Sequence, residues 1–220
     1  MAITFYYGAG SPFAWRVWLA LEHKGLDYRM NVLSFSEGDL KKPAFAALNP
    51  RKQVPVLVDA GADTGGEFVL YESAAILEYL QDAYPNAGEP LFPTDTRTRA
   101  LVRRRVCEAD NYVAPAVNRL VARVLFTPEA KWNADKIGAT RDACLQELSL
   151  WTQPSGGDYL AGELSAADFT LYPMIALALR CESKRPDLSL RAALPQRIGD
   201  WMQRIEQLAY FSKTRPAHWQ

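Results

Sequence analysis

Two serine hydroxyls stand where the sequence predicts that helices begin, and a helix start is a place where proteins stabilise negative charge. Ser11 follows a short run of β-branched and aromatic residues and a Gly-Ala-Gly stop, and Pro12 comes directly after it. Ser73 follows Glu72 at the start of a later helical pattern. A helix N-terminus carries about half an elementary positive charge and exposes backbone N–H groups. Each serine could therefore help to hold an anion, although a serine in such a position can equally be a plain helix cap.

Cysteine, histidine and net charge exclude several kinds of function. The chain has three cysteines that lie far apart in helical patterns, no C-x-x-C pair, and two histidines. We therefore expect buried core cysteines, no structural disulfide and no metal site. Lys plus Arg and Asp plus Glu both number 25, which disfavours nucleic acid or an anionic membrane as a partner. No basic leader and no run of about 18 apolar residues is present, so we expect a soluble cytoplasmic protein.

Strand and helix patterns alternate in the first part of the chain, whereas only helical patterns follow. Runs typical of strands lie at 3–7, 28–33, 54–58 and 68–71. The last two are predicted to form a hairpin around the Gly- and Asp-rich turn at 60–66. Later helical patterns lie at 97–126, 130–151, 166–181 and 192–208. This change predicts an α/β domain at 1–84, a proline-containing linker at 85–96 and an all-helical domain at 97–220.

Three groups of motifs carry a family resemblance. Gly-Ser-Pro-Phe-Ala-Trp-Arg-Val at 10–17 resembles the first-helix segment of serine-type glutathione transferases. Asn-Pro at 49–50, Gln-Val-Pro-Val-Leu at 53–57 and Tyr-Glu-Ser-Ala-Ala-Ile at 71–76 resemble the glutathione site of that family. The segment 160–168 is similar to its helix-capping motif. The chain is identified on these motifs as a member of the cytosolic glutathione S-transferases, of a serine-type and bacterial-like kind.

The resemblance implies a thioredoxin-like α/β domain followed by an all-α domain, with Ser11 donating a hydrogen bond to the sulfur of glutathione. A thiol pKa lowered from about 8.5 by about two units corresponds to roughly 2.7 kcal/mol in favour of the thiolate. In other classes a tyrosine at the end of the first strand has this role, so Tyr6 and Tyr7 remain alternatives. Some relatives carry a cysteine where Ser11 stands. Since the first cysteine here is Cys107, we expect poor thiol-transfer activity.

The rest of the glutathione site is also implied by the resemblance. Val54 precedes Pro55 in a peptide bond that is cis in thioredoxin-like folds, and its backbone would pair with the cysteinyl part of glutathione. Lys41 and Gln53 would face the glycyl carboxylate, with Lys52 in place of Gln53 if the loop register differs by one. The start of the third helix would bind the γ-glutamyl part. Its backbone N–H groups and the Ser73 hydroxyl would bind the γ-glutamyl carboxylate, and the carboxylate of Glu72 would bind the ammonium group.

The electrophile would lie in a pocket between the domains, built from the loop after the first strand, the fourth helix and the C-terminal tail. The expected pocket residues are Phe13, Tyr112, Ala116, Arg119, Tyr210 and Phe211. This mainly apolar set predicts an apolar electrophile, and Arg119 could receive an anionic group. Ser165 and Asp168 have the spacing of a capping box, whose loss costs roughly 1 kcal/mol.

The predicted function is a glutathione transferase that uses glutathione as co-substrate and no metal, and that forms a homodimer. The bound thiolate would attack an electrophilic carbon or reduce an organic hydroperoxide. An alternative is isomerisation of a maleyl compound, but relatives with that activity carry Ser-Ser-Cys where this chain has Ser-Pro-Phe at 11–13. A second alternative is a non-catalytic ligand carrier or protein-interaction module on the same fold.

Overall fold

The computed structural model of this chain describes residues 2–61, 66–152 and 157–219. The chain divides into two compact units, Met1–Pro93 with Tyr210–Gln220, and Thr94–Ala209. The C-terminal segment is thus grouped with the first unit, whereas the sequence pattern placed it in the helical domain. Residues 62–65 of the predicted hairpin turn lie outside the described residues.

The first unit is built on a four-stranded mixed sheet with helices packed beside it. Its strands are β1 (Ile3–Gly8), β2 (Tyr28–Leu33), β3 (Val56–Asp59) and β4 (Phe68–Tyr71). Its helices are α1 (Pro12–His23), α2 (Pro43–Leu48) and α3 (Ser73–Ala83), with α10 (Phe211–Thr214) contributed by the C-terminal segment. The strand order is β2-β1-β3-β4, in which β1 and β2 are parallel and the other pairs are antiparallel. This topology confirms the predicted thioredoxin-like domain.

The position of each strand in the sheet follows from the polarity of its residues. In β1, Ile3, Phe5 and Tyr7 point into the core and are almost fully buried, as expected for alternation with a period of two. All four residues of the central strand β3 are buried. The edge strand β2 alternates between half-buried and more exposed positions. The hydrophobic pattern therefore places β1 and β3 in the middle of the sheet and β2 at its edge.

The register of the sheet brings three separate segments to one end of the sheet. Tyr6 of β1 pairs with Val56 of β3, and Val56 pairs with Tyr71 of β4. Because β3 is antiparallel to both neighbours, the residues before β3 lie beside those that follow β1 and β4. The loop that begins α1, the segment that precedes β3 and the start of α3 therefore meet at the same end of the sheet.

The second unit is helical over its described residues. Its helices are α4 (Thr96–Glu108), α5 (Ala114–Val124), α6 (Ala134–Ser149), α7 (Ala166–Leu179), α8 (Leu190–Ala193) and α9 (Gln196–Glu206). A π-helical turn, Ala109–Val113, joins α4 to α5, so the helical pattern predicted at 97–126 is one nearly continuous helical stretch. Leu194 and Pro195 separate α8 from α9, because a proline cannot continue the preceding helix. In the described part of the chain, no helix is both long and apolar enough to cross a membrane.

Asp168 is the centre of a buried hydrogen-bond network at the start of α7. The predicted capping box is confirmed: Asp168 accepts hydrogen bonds from the backbone N–H of Ser165 at 2.9 Å and from its hydroxyl at 3.0 Å. It also accepts from the backbone N–H of Leu160 at 3.0 Å and from Trp201 Nε1 at 2.8 Å. The carboxyl is fully buried. It therefore joins the loop before α7 to α9, which is more than the sequence motif predicted.

Candidate functional site

Ser11 caps α1 and keeps a hydroxyl proton that can be donated. Its Oγ accepts the N–H of Ala14 at 3.3 Å, and its own N–H donates to the carbonyl of Gly8 at 3.0 Å. Ser11 is half-buried and has an extended backbone conformation, as an N-cap should. A hydroxyl that accepts one hydrogen bond still carries its own proton. The capping role and a donor role are therefore compatible in the same side chain.

The two tyrosines of β1 face opposite sides of the sheet. Tyr7 is 3% exposed, packs edge-on against Trp18 with a ring distance of 5.1 Å, and accepts the N–H of Gly10 at 3.4 Å. Burial raises the pKa of the Tyr7 hydroxyl, which favours its protonated form. Tyr6 is half-buried and packs against Phe45. The Tyr7 ring is thus part of the core while its hydroxyl supports the loop that carries Ser11.

Val54 lies beside the end of β1. The Val54–Pro55 peptide bond is cis, as predicted, and Pro55 leads directly into β3. A methyl group placed on Gly8 would lie 2.9 Å from Val54 Cγ2 and 2.6 Å from the Phe35 ring. These contacts put Phe35, which is 53% exposed, at the edge of the candidate site. Sequence reasoning did not single out Phe35, because it lies in the irregular segment after β2.

Glu72 has an unusual backbone conformation at the junction of β4 and α3. Its φ is +71° and its ψ is 104°, a region that residues other than glycine rarely adopt. Such conformations are concentrated at functional sites. The Glu72 side chain is exposed and lies 3.9 Å from Arg51 Nε, a distance at which an exposed ion pair contributes little. The carboxylate is therefore accessible at the start of α3.

Arg16 supplies a buried positive charge at this helix start, and sequence reasoning missed it. The Arg16 side chain is 2% exposed, and Ser73 is 3% exposed. Nε of Arg16 donates to Ser73 Oγ at 2.8 Å, and Nη2 donates to the same oxygen. The guanidinium also lies 5.3 Å from the centre of the Phe13 ring. The sequence does carry a signal for Arg16. It lies four residues after Pro12 and four before Ala20, and because both of these are on the buried face of α1, helical spacing places Arg16 on the same face.

The residues predicted to meet the glycyl carboxylate all lie on the surface. Lys41 is exposed in the 3₁₀ turn Asp39–Lys41, before α2. Lys52 and Gln53 are exposed in the segment before β3, where Lys52 has a φ of +55°. The carbonyl of Gln53 accepts a hydrogen bond from the Asn49 side chain at 2.8 Å, which fixes the course of that loop next to Val54.

The residues predicted to bind the electrophile have different environments within their own units. Phe13 is half-buried. Tyr210 bonds through its hydroxyl to His23 Nδ1 at 2.8 Å, and Phe211 is 6% exposed and packs against Trp15. In the second unit, Ala116 is buried, whereas Tyr112 and Arg119 are exposed: Tyr112 to 60%.

The cysteines are not equivalent. Cys144 and Cys181 are buried, and burial raises their pKa values, to about 11 and about 12. Both therefore stay protonated. Cys107 is exposed, so the prediction that all three are core residues is wrong for this one; it lies on the outer face of α4. Among the residues that the structure describes, no group of three or more His, Cys, Asp and Glu side chains could hold a metal ion.

Comparison with known proteins identifies the family. Residues 10–83 match the family model described as "Glutathione S-transferase, N-terminal domain". Glutathione S-transferase A of Pleuronectes platessa is 30% identical over 195 residues, which cover 85% of this chain and 84% of the relative. Maleylacetoacetate isomerase of Mus musculus is 31% identical over 173 residues, covering 77% and 75%.

A solved structure matches the whole chain. The crystal structure of a glutathione S-transferase from the clam Laternula elliptica superposes with a TM-score of 0.80 and 31% identity, covering 100% of this chain and 94% of that one. An α/β unit of this topology, with a cis proline before β3, defines a thioredoxin-like domain. The chain belongs to the glutathione S-transferase family.

Proposed function

We propose that this chain is a glutathione S-transferase of the serine type, which activates bound glutathione as its thiolate. One observation carries the proposal. The sheet register brings Ser11, the Val54 backbone and the start of α3 to the same edge, so that a tripeptide lying across this edge meets a hydroxyl, a backbone segment and an anion site in order. This arrangement suits a peptide ligand that carries both a thiol and a carboxylate.

The proposed roles follow from the chemistry of each position. The Ser11 hydroxyl donates to the glutathione sulfur, and the N-terminus of α1 adds its partial positive charge. Both stabilise the thiolate over the thiol. The backbone of Val54, next to Pro55, pairs with the cysteinyl part like an added strand.

Charge determines how the two ends of glutathione are held. The γ-glutamyl carboxylate meets the N–H groups at the start of α3, together with the Ser73 hydroxyl and the buried Arg16 guanidinium. Glu72 faces the ammonium group. Lys41 and Gln53, or Lys52, face the glycyl carboxylate at the exposed side.

The thiolate then attacks an electrophilic carbon or reduces an organic hydroperoxide, with no covalent bond to the protein. The electrophile is proposed to be apolar, and the residues proposed to contact it are Phe13, Tyr112, Ala116, Arg119, Tyr210 and Phe211. Phe35 adds an exposed aromatic ring to the same edge of the first unit. The proposal includes a cytoplasmic location and a homodimer, both of which the family resemblance supports.

Isomerisation of a maleyl compound is the second candidate, because one of the relatives reported above is a maleylacetoacetate isomerase. Such a reaction would use the same thiolate, added transiently to a double bond. The Ser-Pro-Phe sequence at 11–13 in place of Ser-Ser-Cys favours conjugation over this reaction.

Three assays on the purified full chain test the proposal. They are glutathione conjugation to chlorodinitrobenzene, reduction of cumene hydroperoxide and isomerisation of maleylacetone. We expect turnover in the first or second assay and a loss of at least about tenfold in kcat for Ser11→Ala, since one transition-state hydrogen bond of this kind contributes about 1.5–3 kcal/mol. The exposed Ser36→Ala serves as the matched control. Isomerisation alone would favour the second candidate, and the absence of turnover in all three would favour a ligand carrier.

A further inference from the structure

The C-terminal segment is attached to α1 by several contacts within the first unit. Trp15 Nε1 donates to Thr214 Oγ1 at 3.1 Å, and both groups are buried. The ring of Phe211 lies 6.0 Å from that of Trp15. Lys213 Nζ is 2.7 Å from Glu22 Oε1. These apolar, hydrogen-bonded and ionic contacts together fix the direction in which the chain leaves α10.

The last described residues then return toward the start of α1. Pro216 is buried, and Ala217–Trp219 form a 3₁₀ turn. The Trp219 indole stands edge-on to Trp15 at a ring distance of 5.3 Å, and the Trp219 backbone carbonyl accepts a hydrogen bond from Arg215 Nη2 at 3.3 Å. The ring contact fixes the indole, and the hydrogen bond fixes the backbone of the turn.

This turn places an imidazole over the loop that carries Ser11. A methyl group placed on Gly10 would lie 2.9 Å from His218 Nε2 and 3.2 Å from Trp219 Nε1. Gly10 is the residue directly before Ser11, and its φ of +86° turns the loop at this point. The Trp219 N–H donates to His218 Nε2 at 3.0 Å. The segment thus brings a group that can accept a proton close to Ser11, the proposed hydrogen-bond donor to the thiolate.

We propose that His218 is the base that receives the proton of the glutathione thiol. The proposal rests on the proposed function, since it needs glutathione to bind beside Ser11. The S–H bond of glutathione breaks, its electron pair stays on sulfur, and an N–H bond forms at His218 Nε2, which gives up the hydrogen bond that it accepts from the Trp219 N–H. The imidazolium then remains next to the thiolate until the proton passes to the product or to water. Ser11 stabilises the sulfur anion, whereas His218 takes the proton.

The chemistry of the neighbouring groups agrees with this role. An ordinary imidazole changes charge between pH 5 and 8, close to the pH at which a thiol must be ionised in a cell. On the loop side, Tyr7 is kept protonated by burial and so does not compete for the proton. On the C-terminal segment, Lys213 forms an ion pair with Glu22. Arg215 is the cation nearest to His218 in sequence. His23, the other histidine of the chain, is the last residue of α1 and so lies at the opposite end of that helix from Ser11.

The test compares protons released with thiolates formed when glutathione binds. Thiolate is measured by its ultraviolet absorbance, and released protons by a pH indicator in weakly buffered solution, on the same sample of full-length protein near pH 7. In the wild type, we expect the released protons to be clearly fewer than the thiolates, because His218 retains them. In His218→Gln, which keeps a hydrogen-bond acceptor for Trp219, we expect about one proton released for each thiolate. His23→Gln is the control and should behave as the wild type does.

The possible outcomes separate the two proposals. Equal numbers of protons and thiolates in both wild type and His218→Gln would overturn the role of His218 and leave the transferase proposal intact. If wild-type protein bound no glutathione, or bound it without forming thiolate, both proposals would fall. A pH profile of kcat/KM gives a second readout: its acidic limb should move toward higher pH in His218→Gln, which a purely structural role would not cause.

Discussion

Arg16 offers the most informative single substitution in the candidate glutathione site. Its guanidinium is buried against Ser73 at the start of α3, where the γ-glutamyl carboxylate is proposed to bind. Arg16→Met removes the positive charge and all of its N–H donors but retains most of the volume of the side chain. The substitution therefore separates charge from packing.

The expected effects on binding and on stability differ in size. A hydrogen bond to a charged group contributes about 1.5–3 kcal/mol, so the dissociation constant for glutathione should rise about 10- to 150-fold. The free energy of unfolding should change by less than about 2 kcal/mol, because the partner of Arg16 is the uncharged Ser73 hydroxyl, so the substitution does not leave that partner as an unpaired charge. Binding is thus affected more strongly than folding.

Calorimetric titration with glutathione and urea denaturation measure the two quantities. Arg29→Met, the same change on the exposed strand β2 of the same unit, is the matched control and should leave both unchanged. The proposed role of Arg16 would be excluded if Arg16→Met bound glutathione as tightly as the wild type, or if it lost affinity only in proportion to unfolding.

Three further predictions concern stability and the loop that precedes α1. Asp168→Ala should lower the free energy of unfolding, measured by urea denaturation, by about 3 kcal/mol or more, because three buried N–H donors lose their acceptor. The control Asp142→Ala, at an exposed position, should lower that free energy by less than about 0.5 kcal/mol. Gly10→Ala should reduce turnover by at least about tenfold and lower the melting temperature, since the φ of +86° at Gly10 and its contact with the C-terminal segment both exclude a side chain. The control Gly138→Ala lies in a helix with open space around it and should raise the melting temperature. Burial lowers the pKa of His23, so the unfolded chain binds the proton more tightly than the folded protein does. The free energy of unfolding should therefore fall as the pH drops below about 6.5, the usual pKa of a histidine. A free energy of unfolding that stayed constant between pH 5 and 8 would contradict this.

Much of the first unit could be predicted from the sequence because its signals are local. The strand β2 has the predicted bounds, 28–33, since β-branched and aromatic residues lie between a glycine and a polar segment. The start of α1 follows from Ser11 and Pro12, whose types suit a cap and a first helical position. The break between α8 and α9 was missed, although Pro195 is a local signal that could have located it.

What the sequence did not predict depends on long-range contacts. The burial of Arg16 depends on α3, which lies 57 residues further along the chain. The Asp168 network includes Trp201, 33 residues away, so a motif read within four residues underestimates its cost of removal. The position of His218 near Gly10 depends on the whole course of the C-terminal segment. Helical spacing places Arg16 on the buried face of α1, but no local pattern identifies its partner Ser73, the partner Trp201 of Asp168, or the position of His218.

The central claim is that Ser11 stabilises the thiolate of bound glutathione, and its most direct test is the pKa of that thiol. The ultraviolet absorbance of the bound thiolate would be followed against pH for the wild type, Ser11→Ala, Ser11→Asp and Tyr7→Phe. Aspartate caps a helix as well as serine does but, when ionised, has no proton to donate. We therefore expect Ser11→Ala and Ser11→Asp to raise the thiol pKa by about one to two units, and Tyr7→Phe to leave it unchanged. An unchanged thiol pKa in Ser11→Ala, or a raised one only in Tyr7→Phe, would show that Ser11 does not stabilise the thiolate.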